Sequence, residues 1–184
     1  MPLKTPICDF GQEAKSFKLK STNNKIIRLN DIKGENGTLV MFICNHCPYV
    51  IAVIKDIIED CRNLEKIGIK AVAICSNDSI NYPEDSFDKM IKFHKEHSFN
   101  FPYLIDETQA VAKDFGAVCT PDFFGYNKYL KLQYRGRIRE LKNLKPIKSN
   151  ESDLFKAMKL IAKTNNGPKE QISSMGCSIK WLDN

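Results

Sequence analysis

The chain has no internal repeat and no long apolar run, and only three of its 184 residues are histidine. The missing run excludes a membrane-spanning helix, which needs about 18 or more consecutive apolar residues. The opening residues, MPLKTPICDFGQ, lack the continuous apolar stretch of a secretory signal. A cytoplasmic protein is therefore expected, in a compartment that keeps thiols reduced. Large net charge is absent too: 28 Lys and Arg against 22 Asp and Glu leave +6. The excess is local, in Lys128, Lys131, Arg135, Arg137, Arg139, Lys142, Lys145 and Lys148, with Glu140 as the lone acid among them. Such a stretch either faces an acidic partner or is a solvated strand and loop; the second is the expectation, with no nucleic acid partner.

What is present is a core. Hydrophobic residues make up 42% of the chain, enough for a single domain. Short strands are predicted at 16–19 and 25–29, joined by STNN. TLVMFI, at 38–43, and IKAVAIC, at Ile69–Cys75, have the unbroken apolar pattern of strands buried on both faces. Between them Val50, Val53, Ile54, Ile57, Ile58, Cys61 and Leu64 recur at steps of three and four, predicting a helix closed by Gly68. A second helix is predicted over 84–97 behind Pro83, with Phe87, Met90, Ile91 and His94 on one face. FPYLID predicts a short strand, and Asp106 with Gln109 a capping box for a helix ending at Gly116. DFFGY and YLKLQYRG predict a hairpin turning near Asn127 and Lys128, and a last helix spans 153–162. The alternation predicts an α/β sandwich with a mixed central sheet. One domain, 1–184, then comprises N-terminal strands and a loop (1–37), a core (38–163) and a tail (164–184) with Cys177 and Trp181.

Seven cysteines are many for this length, and only Cys44 and Cys47 are close in sequence, so a secreted disulfide scaffold is not expected. Cys44 ends a buried strand; Cys47 and Pro48 begin a helix. Free N–H groups and the dipole at a helix start stabilise an anion, so a thiol there ionises near neutral pH. The two-residue spacing lets the sulfurs meet, and a mixed disulfide at one cysteine can be resolved by the other. His46 either favours the thiolate or faces solvent as an ordinary polar residue. Zinc would need two more ligands, and His94 and His97 stand at no common zinc spacing from the pair, so no metal is expected. Thr120 and Pro121, in VCTPDFF, precede a strand. A proline there can take the cis form, and its missing N–H leaves adjacent backbone groups for an extended substrate; it is also an ordinary strand-start residue.

In this order of elements, CNHCP, CTPDFF, YRGRI and GCSIKW resemble the AhpC/TSA (peroxiredoxin-like) branch of the thioredoxin-fold superfamily, in its subgroup with Cys-x-x-Cys. The resemblance covers most of the chain. It implies a thioredoxin-like three-layer sandwich with an N-terminal β extension and a C-terminal tail. It also implies a thiol–disulfide oxidoreductase in which Cys44 is the more exposed nucleophile and Cys47 the buried resolving thiol. Asn45, His46 and Pro48 would tune the pair, and Thr120 and Pro121 would bind the substrate backbone. The implied partners are a protein or small-molecule disulfide or thiol and a thioredoxin-type reductant, with no cofactor and no membrane. Thioredoxin itself has Trp before its first cysteine and Gly-Pro between the two; here stand Ile43 and Asn45-His46, implying another potential and another partner.

Peroxiredoxins carry Pro-x3-Thr-x2-Cys, with the last cysteine attacking peroxide. Laid on this chain, that cysteine is Cys47, the threonine becomes Cys44 and the proline Val40. A thiol peroxidase using Cys47 is thus the first alternative, without its usual helpers; Arg135 and Arg137 are the arginines at hand and are expected to be exposed. A zinc-binding or copper-delivery protein using the pair is the second. Among the remaining thiols, Cys61 and Cys75 are expected to be inert in the core. Cys119 either joins the pair as a redox thiol or simply packs. Cys8 has no assigned role, near a mobile terminus. The tail is long enough to return Cys177 to the pair as a third redox thiol; packing beside Trp181 is the simpler expectation.

Overall fold

The computed structural model describes residues 1–148 and 150–183. In chain order the elements are β1 (Pro2–Lys4), β2 (Lys18–Ser21), β3 (Ile26–Arg28), β4 (Gly37–Phe42), α1 (Pro48–Glu65), β5 (Ile69–Cys75), α2 (Phe87–His97), β6 (Tyr103–Ile105) and α3 (Ala110–Phe115). There follow β7 (Cys119–Thr120), β8 (Asp122–Tyr126), β9 (Leu132–Tyr134), β10 (Leu141–Lys142), β11 (Lys145–Pro146), α4 (Asp153–Thr164) and β12 (Met175–Ser178). Seven strands form one mixed sheet in the order β3-β2-β6-β5-β4-β8-β9. Within it β4, β5 and β6 are parallel and the other pairs antiparallel.

Strand β4 lies inside the sheet, and its alternation divides the core into two layers. Leu39 and Met41 face α1 and α4, packing with Val53, Ile57, Leu64, Met158 and Ile161. Val40 and Phe42 face the other way, onto Phe115 of α3 with Val72, Ile74 and Phe124. Each such side chain contributes about 1.5–3 kcal/mol by leaving water. The result is the three-layer α/β sandwich expected from the sequence, with β2 and β3 extending one edge.

Several local expectations change. The second helix starts later than predicted: Pro83–Asp85 form a 3-10 turn, and Ser86 caps α2 by accepting from the Lys89 N–H at 3.4 Å. Phe93, missing from the predicted stripe, is buried on that helix. Asp106 caps α3 without a reciprocal box: its carboxylate accepts from the N–H groups of Val111 (3.3 Å) and Ala112 (2.9 Å). Gln109, at φ 63°, instead turns its side-chain amide to the carbonyls of Ser76 (2.7 Å) and Lys180 (2.8 Å). The arginines of the basic stretch are not exposed. Arg135 is 8% exposed and pairs with Asp122 at 2.9 Å. Arg137 pairs with Asp153 at 2.7 Å and Arg139 with buried Asp56 at 3.1 Å.

The largest addition is a second, three-stranded sheet in the order β1-β12-β7. The tail is thereby folded onto the body, with β12 antiparallel to both neighbours and in contact with α1. Strand β1 also ties down the N-terminus, so Cys8 is half-buried against the α3-side core instead of lying on a mobile end. No helix among the described residues is long and apolar enough to cross a membrane.

Candidate active site

All seven cysteines are free thiols. Cys44 follows β4, and Cys47 is the N-cap of α1, with Pro48 at the first helical position where its missing N–H costs nothing. Both sulfurs of the pair are near Thr120. As a thiol, Cys47 donates from Sγ to the Thr120 carbonyl at 3.1 Å, a bond given up on ionisation, and Cys44 Sγ lies 3.4 Å from the Thr120 hydroxyl. The Thr120–Pro121 peptide bond is cis. Cys44, Cys47, Thr120 and Pro121, picked out in the sequence, therefore meet in one place. The expectation of an exposed Cys44 is corrected: Cys44 is 1% exposed and Cys47 0%, so both thiols of the pair are buried. Strand β12, which the sequence pattern did not predict, pairs with Thr120 beside the two thiols and packs Cys177 on the same core cluster.

The two sulfurs differ in charge preference. A hydrogen bond from Cys44 lowers the Cys47 thiol to about 5, against the opposing effect of burial; the Cys177 thiol and N–H and the Val50 N–H add to it. Val50 is the third residue of the helix, so this last bond is the free donor of a helix start. Cys44 is pushed well above the ordinary thiol range because it gives its proton to the bond with Cys47, is buried, and has the Asp85 carboxylate nearby. Of the two thiols, Cys47 is therefore the one that ionises more readily and Cys44 the one that holds its proton.

Asp85 organises the residues between the cysteines. Its carboxylate accepts from the Asn45 N–H at 2.8 Å and from the Asn77 side-chain amide at 2.8 Å. His46 Nδ1 approaches the same carboxylate to 2.8 Å. The ring N–H is not aimed along that line, so the contact is electrostatic and not an aligned hydrogen bond. The His46 ring stacks on Tyr82, with centroids 6.1 Å apart and planes 6° apart. His46 is therefore half-buried and engaged, not a free surface residue. Tyr103 donates its hydroxyl to the Asn45 side chain at 2.8 Å. Nothing in the sequence marked Asp85, which stands in the polar run NYPEDS and resembles a solvated helix-start acid.

Cys44 Sγ, a His46 ring nitrogen and an Asp85 oxygen all lie within 4.8 Å of one another. Sulfur, nitrogen and oxygen donors suit zinc. Both Asp85 oxygens, however, already accept hydrogen bonds from Asn45 and Asn77, which fits a positioning role better than metal ligation. His94 and His97, the histidines weighed as zinc ligands, lie elsewhere: His94 Nδ1 pairs with the Thr22 hydroxyl at 2.7 Å, and His97 packs on Phe93.

Of the other thiols, Cys61 and Cys75 are buried with raised pKa values, Cys75 to about 12, chiefly through burial. Cys119 is fully buried, and burial with the neighbouring Asp122 carboxylate pushes its thiol far up. Cys177 is half-buried, packs against the core cluster that holds the pair, and is raised to about 11 by burial first and by Cys47 second.

A dithiol at the N-terminus of a helix, in a three-layer sandwich beside a cis-proline, defines a thiol-redox protein of thioredoxin-like architecture. The family comparison is more specific: the AhpC/TSA family model matches residues 10–141, and the chain belongs to that family. Among solved structures, an uncharacterized conserved protein from Geobacillus kaustophilus is 36% identical, with a TM-score of 0.95 over 100% of this chain and 98% of that one. A hypothetical protein from Sinorhizobium meliloti 1021 is 32% identical, with a TM-score of 0.90 over 98% of each chain. A thiol:disulfide interchange protein of the thioredoxin family from Chlorobium tepidum TLS shares the fold at 16% identity, with a TM-score of 0.63 over 83% of this chain and 97% of that one. No match was found among curated proteins. The family match leaves out β1 and β12, whereas the two more similar structures are matched over nearly the whole chain. Family membership makes the protein an oxidoreductase that works through thiols.

Proposed function

We propose that the protein exchanges disulfides with a protein or small-molecule substrate through Cys44 and Cys47, with Cys47 as the attacking thiolate. The observation that carries this reading is the place of Cys47 at the N-cap of α1, where the Cys44 thiol and the Val50 N–H stabilise its charge. The Cys47 thiolate attacks one sulfur of the substrate disulfide, forming a mixed disulfide and releasing the first substrate thiolate. Cys44 then loses its proton and attacks the Cys47 sulfur; the Cys44–Cys47 disulfide forms and the second thiolate leaves. That proton passes to solvent beside His46 and Asp85, which lie within 4.8 Å of Cys44 Sγ. The roles of the two cysteines are thus the reverse of those the thioredoxin resemblance implies. In a cytoplasmic setting the electrons would come from a thioredoxin-type dithiol.

A peroxidase using Cys47 is the rival within the same family. Against it stand the replacement of the threonine and proline by Cys44 and Val40, and the engagement of Arg135 by Asp122, the Gly116 carbonyl (2.8 Å) and the Phe124 ring. The test compares reduced, metal-free protein treated with hydrogen peroxide or with oxidised glutathione, with products located by alkylation and mass spectrometry. Peroxide reactivity near that of a free cysteine thiolate, with Cys44–Cys47 closing under oxidised glutathione, supports exchange. Peroxide reactivity orders of magnitude higher, starting with a sulfenate at Cys47, overturns it.

A further inference from the structure

Strand β12 lies where an extended substrate would. It runs antiparallel to β7, with Cys177 opposite Thr120 and Ser178 opposite Cys119. A peptide recognised through its backbone would add at this same edge. Gly176 makes the close approach possible: a Cβ there would stand 2.0 Å from the Thr120 carbonyl oxygen and 3.0 Å from the Pro121 nitrogen.

The strand is fastened on both sides of Cys177. Before it, the Ser174 hydroxyl donates to the Pro121 carbonyl at 2.8 Å, and the Ser174 N–H to the Thr5 hydroxyl at 3.0 Å. After it, the Lys180 N–H donates to the Asn77 side chain at 3.0 Å and the Leu182 N–H to the Gln109 side chain at 2.8 Å. Asn77 is thus shared between the tail and Asp85 of the site. Between these fastenings Cys177 stands opposite Thr120, whose carbonyl is 3.1 Å from Cys47 Sγ, and its thiol and N–H help to lower the Cys47 thiol.

We propose that β12 is a built-in occupant of the substrate strand position and that Cys177 is a third redox thiol, the internal disulfide partner that Cys47 meets first. The inference rests on the disulfide-exchange reading. In the first step the Cys47 thiolate attacks a substrate disulfide, and one substrate thiolate leaves. Cys177, giving its proton to solvent, attacks the Cys47 sulfur; the Cys47–Cys177 bond forms and the second substrate thiolate leaves. Cys44 then attacks Cys47, closing Cys44–Cys47 and returning Cys177 as a thiol. The substrate disulfide is reduced by two electrons, and two protein thiols are oxidised to one disulfide. Because β12 already pairs with β7, a protein substrate gains that edge by displacing the strand.

The test treats full-length reduced protein with oxidised glutathione and maps disulfides in wild type, in Cys44→Ser and in Cys44→Ser/Cys177→Ser. The expected result in Cys44→Ser is a Cys47–Cys177 disulfide with all glutathione released. The double variant should retain glutathione on Cys47. A persistent Cys47–glutathione disulfide in Cys44→Ser, with Cys177 free, would overturn the inference while wild-type closure of Cys44–Cys47 left the exchange reading standing. Failure of wild type to form any disulfide at the pair would overturn that reading itself. As a check that leaves every thiol in place but Cys44, Gly176→Ala in the Cys44→Ser background should slow Cys47–Cys177 closure roughly 100-fold, the scale of a misplacement of about 1 Å. An unchanged closure rate there counts against β12 as the element that positions Cys177.

Discussion

The seven-stranded sheet and the small sheet β1-β12-β7 meet at Thr120 and Pro121, yet they are held by different forces. The large sheet is held by apolar burial: Leu39, Val40, Phe123 and Phe124 are all 0% exposed. In the small sheet β7 is buried, but β1 and β12 bury little apolar side chain, with Leu3 at 41% and Met175 at 40% exposure. Its strands rely on backbone pairing and on side-chain fastenings from Thr5, Asn77, Gln109 and Ser174. Apolar burial of this kind sets global stability, whereas a strand held chiefly by hydrogen bonds, as β12 is between β1 and β7, opens at lower cost. The redox pair lies at the seam, between the end of β4 in the large sheet and Thr120 in the small one.

Variants can separate the two regions. The largest effect belongs at the seam: Cys47→Ser should lower disulfide exchange by at least about a thousandfold in a turnover assay, with the fold retained. In the large sheet's core, Ile57→Ala should cost about 2–5 kcal/mol in urea unfolding, because a fully buried side chain leaves a cavity. Met175→Ala in the small sheet should change stability by no more than about 0.5 kcal/mol. Gln109→Ala, which releases the Leu182 N–H and the Lys180 carbonyl, should speed alkylation of Cys47 while lowering stability by about 1–3 kcal/mol. A pH-dependent effect belongs to Asp60, a buried residue of α1 whose carboxyl is raised from 3.8 to about 6, chiefly by burial. An acid raised on folding destabilises the fold as pH climbs through that window, and the penalty is complete above it. Asp60→Asn should therefore gain stability at pH 7, and the gain should disappear in urea melts below the ordinary carboxylate range.

Much of the large sheet is legible in the sequence because its signals are periodic. The unbroken run before Cys44 gave β4, and the three-and-four spacing from Val50 to Leu64 gave α1. The candidate site was legible as a set of residue positions, since Cys44, Cys47, Thr120 and Pro121 do converge. Its chemistry was less so. The expected exposure of Cys44 failed because MGCS, the sequence of β12, has no apolar alternation; its strand exists only through pairing with β1 and β7. Asp85 and Gln109 escaped for a related reason: each is a polar residue in a polar loop, and only the fold turns them inward.

The most direct test of the account is a spectrophotometric titration of thiolate at 240 nm, comparing reduced wild type with Cys47→Ser. The account predicts one thiolate in the wild type that is lost with a midpoint near pH 5 and is missing from the variant. A wild-type curve that shows no thiolate below pH 8, or an acidic thiolate that survives in Cys47→Ser, would contradict the assignment of the charge to Cys47.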